Sequence, residues 1–211
     1  MGVSLGNKSF NGRFARNLIR YVAEHGVDRF VIFLGDFIER INYMTFSGYV
    51  EERAVGVSLG RAENLRKMFL KSVAAVEVGG LQLEVMLESE LRASATFAAS
   101  LDEARACLTS CGTDPTFRSD LKSQLFRNLD VKIERFGNAF VEGRASFLKE
   151  YILGELEIFY ALYQCYGDVL EVYPGPEMVV KQRFFDNFYS CSDCPGLPLR
   201  YQYEDVSHLS D

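Results

Sequence analysis

The chain has 211 residues, a net charge of −6 at pH 7, and a composition that is 48% hydrophobic and 25% charged. That is enough chain for one globular domain with a sizeable core. The acidic total excludes general nucleic-acid affinity, which needs a cationic surface, but not a local basic strip, and no apolar run is long enough to predict a transmembrane helix.

In chain order, residues 9–25 read as a helix. Phe14, Leu18 and Val22 are spaced to bury one face, and His25-Gly26 is its stop. Phe30-Val31-Ile32-Phe33-Leu34 is a continuous apolar run ending at Gly35-Asp36, the pattern of a strand buried on both faces. Residues 48–76 form a long helical pattern broken by Gly79-Gly80. Residues 81–87 alternate as a second strand, and 90–108 hold one helix or two. Cys111 to Pro115 reads as a turn or cap, followed by helices over 115–129 and 138–166. A third strand over 168–173 ends at Pro174-Gly175-Pro176. A short helix over 178–185 precedes a tail, 186–211, that reads as irregular.

Strands alternating with helices predict an α/β fold with a mostly parallel sheet. Ligands of such sheets sit beyond the carboxyl ends of the strands, which directs attention to residues 2–7, 34–36 and 173–175. The N-terminal residues lack a basic region followed by an apolar stretch, so a cytoplasmic location is expected. Five cysteines occur, an odd number that argues against a disulfide framework. Cys191-Ser192-Asp193-Cys194 has the gap of a zinc knuckle, but a structural zinc site needs a second such pair.

Ser4, in Gly2-Val3-Ser4-Leu5-Gly6-Asn7, precedes the first helix. It can be a nucleophile at a strand-to-helix turn, or part of a helix cap or phosphate-binding loop. Tyr151 and Glu155 are four residues apart in a helical stretch and share one face. Their apolar neighbours make the carboxylate hard to ionise without a partner, and the ammonium of an aminoacyl ester would suit it; a glutamate at the edge of a buried helix is the plainer reading. Arg61, Arg66, Lys67 and Lys71 form the densest cationic strip, which a solvated helix face also explains. Only His25 and His208 exist, and neither lies near the proposed sheet edge. That disfavours a Ser-His-Asp hydrolase and a His-ligated metal enzyme. A nucleophilic Ser4 would therefore need an acyl donor that is already activated.

These segments together resemble the cyclodipeptide synthase family. Gly2-Val3-Ser4 through Phe10 is similar to its Gly-[Ile/Val]-Ser-x-x-Asn-x-x-Phe segment. Tyr151-x-x-x-Glu155-Leu156 is similar to its Tyr-x-x-x-Glu-Leu segment, and Val169 to Pro174 is similar to its final strand with a second tyrosine, Tyr173. The resemblance spans residues 2–185. It implies a single Rossmann-like catalytic domain over 1–211, similar to the catalytic domain of tyrosyl- and tryptophanyl-tRNA synthetases but without their ATP-binding signatures. It also implies that two aminoacyl-tRNAs are joined into a cyclic dipeptide without cofactor or metal. Ser4 would carry the first aminoacyl group, Tyr151 and Glu155 would hold its amine, and Tyr173 would position the acyl group and the serine. Gly2, Asn7, Leu34, Ile158, Phe159 and Glu171 are the pocket candidates by motif position, and Arg61, Arg66, Lys67 and Lys71 would grip the first tRNA.

The same resemblance implies a monomer with no DNA or membrane partner. Pro174 points to the branch with proline after the second tyrosine. Two departures stand out: the first strand is short, with only Met1-Gly2-Val3 before Ser4, and Glu157 stands where proline is frequent, predicting a straighter helix. The main alternative is a non-catalytic tRNA- or nucleotide-binding α/β module; a serine hydrolase without histidine has little support.

Overall fold

A computed structural model describes residues 2–3, 10–76, 79–136, 145–167, 170–173, 177–186, 189 and 202–210. Three strands form one parallel sheet: β1 (Gly2–Val3), β2 (Arg29–Leu34) and β3 (Gln82–Leu87), in the order β1-β2-β3. The short β1 is in register with the end of β2, Gly2 opposite Phe33 and Val3 opposite Leu34. On its other side β1 is flanked by β4 (Leu170–Tyr173), which pairs in parallel with β5 (Gln202–Asp205). The two sheets are thus distinct, a three-stranded one and a two-stranded one, brought together where β4 lies against β1.

Side-chain alternation along β2 divides the core. Ile32 and Leu34 face α1 (Gly12–Glu24) and α3 (Glu51–Ala74), packing with Phe14, Leu18 and Phe69. Phe33 faces α2 (Asp36–Ser47), α5 (Ala95–Cys111) and α7 (Ala145–Tyr166), packing with Ile38, Phe97, Ile152 and Leu156. Helices on both faces explain the unbroken apolar run of β2. The short α4 (Glu88–Arg92), α6 (Pro115–Phe136) and α8 (Val179–Phe185) complete the second layer.

Local chemistry sets the element ends. The Asn11 side chain accepts from the amides of Arg13 and Phe14 at 2.9 and 3.0 Å, starting α1 three residues inside the predicted boundary. The Asp114 carboxylate accepts from the amides of Thr116 and Phe117, which makes the Cys111–Pro115 turn the cap of α6. α2 and α4 follow adjacent strands and cap each other. Glu88 of α4 accepts from the Ile38 amide at 2.7 Å, and Asp36 of α2 accepts from the Ser89 amide at 3.0 Å. Both carboxylates are buried; that of Glu88 is pushed up by burial against the pull of Arg92, 2.7 Å away.

The structure corrects two expectations. The tail is not irregular throughout: β5 is a strand, the Val206 amide continues its ladder by donating to Tyr173 O at 3.1 Å, and residues 207–210 form a turn of 3-10 helix. Val206 is fully buried against the α1-side core, which holds this segment in place despite its polar sequence. Cys107 and Cys111 are both disulfide-bonded, against the expectation from the odd cysteine count. They lie one turn apart on the buried face of α5. Cys191 and Cys194 lie outside the described residues. α7 runs unbroken through Glu157, whose carboxylate accepts from Arg105 Nε at 3.0 Å. Among the described residues no helix is long and apolar enough to cross a membrane.

Candidate active site

The site grows from one face of α7. Tyr151, Glu155, Phe159 and Tyr163 follow one another at intervals of four residues and form a stripe. Tyr151 and Glu155 are each partly accessible, and both face the interior enough for burial to dominate their ionisation. The Tyr151 hydroxyl donates to the Glu155 carboxylate. Burial pushes Glu155 up to about 7; Lys181 and the Tyr151 hydroxyl pull it back, while Glu39 and Glu171 push it further. Burial and then the Glu155 charge hold the Tyr151 phenol well above its ordinary range.

β4 brings the second tyrosine. Tyr173 is half-buried, its ring 5.9 Å from that of Phe10, and it lies close enough to Tyr151 to raise its phenol. Ser4 and Asn7 lie outside the described residues, as does Pro174. β1, which Ser4 follows in sequence, lies against β4, the strand that carries Tyr173.

The remaining pocket candidates divide. Gly2 pairs with Phe33 in the sheet. Leu34 is fully buried in the α1-side core and Ile158 in the α2-side core. Phe159 and Glu171 belong to a polar cluster below the tyrosine–glutamate pair. Glu171 is buried, but its charge does not wait for a cationic substrate: both its carboxylate oxygens lie 2.8 Å from Lys181 Nζ, and Oε2 accepts from the Tyr163 hydroxyl at 2.5 Å. Sequence reasoning missed Lys181, Tyr163 and the buried Glu39 of α2, whose carboxylate also accepts from Asn42 at 3.1 Å. The signal for Tyr163 was available in its spacing from Glu155.

The cationic strip lies on α3. Arg61 donates to the Tyr43 hydroxyl at 2.6 Å and Arg66 to Glu90 at 2.6 Å. Lys67 and Lys71 are exposed one turn apart, and no carboxylate among the described residues pairs with them. A separate groove of about 420 Å³ lies on the reverse face of α7. Its arginines are already matched: Arg40 to Glu51, Arg92 to Glu88 and Arg105 to Glu157, at 3.2, 2.7 and 3.0 Å.

No protein-family model matches the chain, and no curated protein matches its sequence. Solved structures do. A cyclodipeptide synthase from Fluoribacter dumoffii superposes with a TM-score of 0.77 at 16% identity, covering 96% of this chain and 87% of that one. The fold is that of the cyclodipeptide synthases. The synthase of Candidatus Glomeribacter gigasporarum, solved bound to Phe-tRNAPhe, gives 0.69 at 17% identity over 97% and 85%. AlbC, a cyclodipeptide synthase from Streptomyces noursei, gives 0.65 at 15% over 100% and 96%. The Rossmann-like α/β architecture expected from the strand–helix alternation is thus the architecture found.

Proposed function

We propose that the chain is a cytoplasmic, tRNA-dependent cyclodipeptide synthase, acting as one catalytic domain. The observation that carries this reading is the Tyr151–Glu155 pair, a phenol hydrogen-bonded to a carboxylate whose charge burial disfavours, close to Tyr173 of β4. An enclosed carboxylate that titrates near neutrality is suited to an ammonium, because the incoming cation supplies the counter-charge that the apolar surroundings withhold. The fold shared with the synthase bound to Phe-tRNAPhe supports the choice of donor.

In this mechanism the Ser4 hydroxyl attacks the ester carbonyl of the first aminoacyl-tRNA. The tRNA hydroxyl leaves with the proton, and the aminoacyl group remains as a serine ester. Tyr151 and Glu155 hold its ammonium, Glu155 taking a proton when the amine must react; Tyr173 positions the acyl group. The amine of the second aminoacyl-tRNA then attacks the serine ester, regenerating Ser4 and leaving a dipeptidyl-tRNA. The free amine of that dipeptide closes the ring on its ester and releases the second tRNA. Arg61, Arg66, Lys67 and Lys71 would contact phosphates of the first tRNA. On Pro174 we place the chain in the proline branch.

The test mixes protein with aminoacyl-tRNAs and follows cyclic dipeptides by mass spectrometry. Product is expected from the native chain, and neither product nor serine ester from Ser4→Ala. Equal output from Ser4→Ala would rule out the covalent route; binding of tRNA without product would favour a non-catalytic module.

A further inference from the structure

Where α2 meets α3, two tyrosines and two arginines form a column of which the steps above use only Arg61. Gly48, at φ 63°, reverses the chain and brings Tyr49 against Tyr43; the rings are stacked, with centroids 6.2 Å apart and planes 8° apart. The Arg53 guanidinium lies over the Tyr49 ring at 4.1 Å. Arg61 donates to the Tyr43 hydroxyl at 2.6 Å, its guanidinium 5.7 Å from that ring. Both tyrosines are half-buried and both arginines exposed. Among the described residues no carboxylate pairs with either arginine, so their charge stays open to an anion. Contacts place the column near the aminoacyl site. α2 leaves the carboxyl end of β2 and packs on α7 beside Glu155, so closely that a Cβ on Gly154 would lie 2.9 Å from Ile38 Cδ1. Tyr43 follows Ile38 about 7.5 Å further along α2. Arg53 also opens the exposed line of α3 that Lys67 and Lys71 continue, about five turns ahead of Lys71.

We propose that the Tyr43–Tyr49–Arg53 column is a stacking platform for the unpaired 3′ end of the tRNA, with Arg53 and Arg61 contacting the phosphates beside the stacked base. The proposal rests on the function proposed above. Aromatic rings and guanidinium planes in a cationic setting are what unpaired ribonucleotides bind, because their base faces are exposed. A paired stem hides those faces and offers phosphates, which the lysines further along α3 suit. The nucleotides that meet a surface near the aminoacyl site are those next to the acyl ester, and these are unpaired.

The experiment titrates the full chain into deacylated tRNA that carries 2-aminopurine in the unpaired 3′ end or, as a control, in the paired acceptor stem. Stacking quenches this base, so native protein should quench the end probe and leave the stem probe unchanged. Arg53→Ala and Tyr49→Leu should lose the quench and bind about 5- to 150-fold more weakly, the range for one stacked base. Arg53→Lys keeps the charge without the plane, so it should lose the quench and retain the native salt slope. In the cyclic dipeptide assay the loss should appear in KM, with kcat near native. Arg53 is exposed, so its two variants retain the fold and decide alone if Tyr49→Leu does not fold. A native quench in Arg53→Ala or in folded Tyr49→Leu, or an end probe that does not respond to native protein, would overturn the platform. A native protein that quenches the end probe but makes no cyclic dipeptide would instead refute the proposed function and leave the platform standing.

Discussion

Glu155→Gln removes a charge while keeping the shape of the side chain, and it should make the protein more stable above neutral pH. The carboxyl stands at about 7 in the folded chain against an ordinary 4.5, because burial outweighs Lys181 and the Tyr151 hydroxyl. At about 1.36 kcal/mol per unit, that difference amounts to about 3 kcal/mol of folding free energy. Between those two values the folded chain binds more protons than the unfolded chain. The stability from this group is therefore complete below about pH 4.5 and is lost as the pH rises through 7. Glutamine does not titrate. The variant should unfold about 3 kcal/mol later than the native protein near pH 8, and the two should converge toward pH 4.5. Urea denaturation at a series of pH values measures this directly, with activity assayed on the same samples. Parallel stability profiles for the two proteins would refute the claim that an enclosed, costly carboxylate sits at this position.

Three further outcomes follow from the helix faces and the buried ion pair. Replacing Lys67 and Lys71 by alanine should weaken tRNA use at low salt and flatten its salt dependence, by about one unit of slope per lysine that contacts a phosphate. Arg66→Ala should have a smaller effect on the slope, because its guanidinium is engaged by Glu90. Glu88→Ala should cost about 3–5 kcal/mol in urea denaturation, since it strips the buried cap from the Ile38 amide and the partner from Arg92.

Elements whose signals were local were legible in the sequence. β2 showed itself by a continuous apolar run and β3 by alternation, and the Tyr151–Glu155 face followed from helical spacing. α2 went unread because the side chain that caps it, Glu88, arrives 50 residues later, and Gly35 offers no cap of its own. The local sign was Gly48, which ends α2 at φ 63°, a conformation that glycine adopts freely. β5 was hidden for a related reason: Gln202-Tyr203-Glu204-Asp205 has little intrinsic strand preference and is a strand because β4 offers an edge. Lys181 carried no sequence signal beyond its place in a short helix. Its burial depends on which way Glu171 points from β4, and alternation alone could not decide that.

The crossed caps of α2 and α4 carry a consequence for how the chain finds its fold. Leu34 and Leu87 sit side by side at the ends of β2 and β3, and each carboxylate reaches the other helix only in that alignment. A slip of one residue between these strands would draw Glu88 about 3.3 Å out of place. Asp36 would then lose the Ser89 amide and Glu88 the Ile38 amide, leaving Glu88 with Arg92 of its own helix, at a cost above that of a mispaired surface strand. The pair thus ties the alignment of β2 and β3 to the capping of both helices, favouring the native register over a one-residue slip.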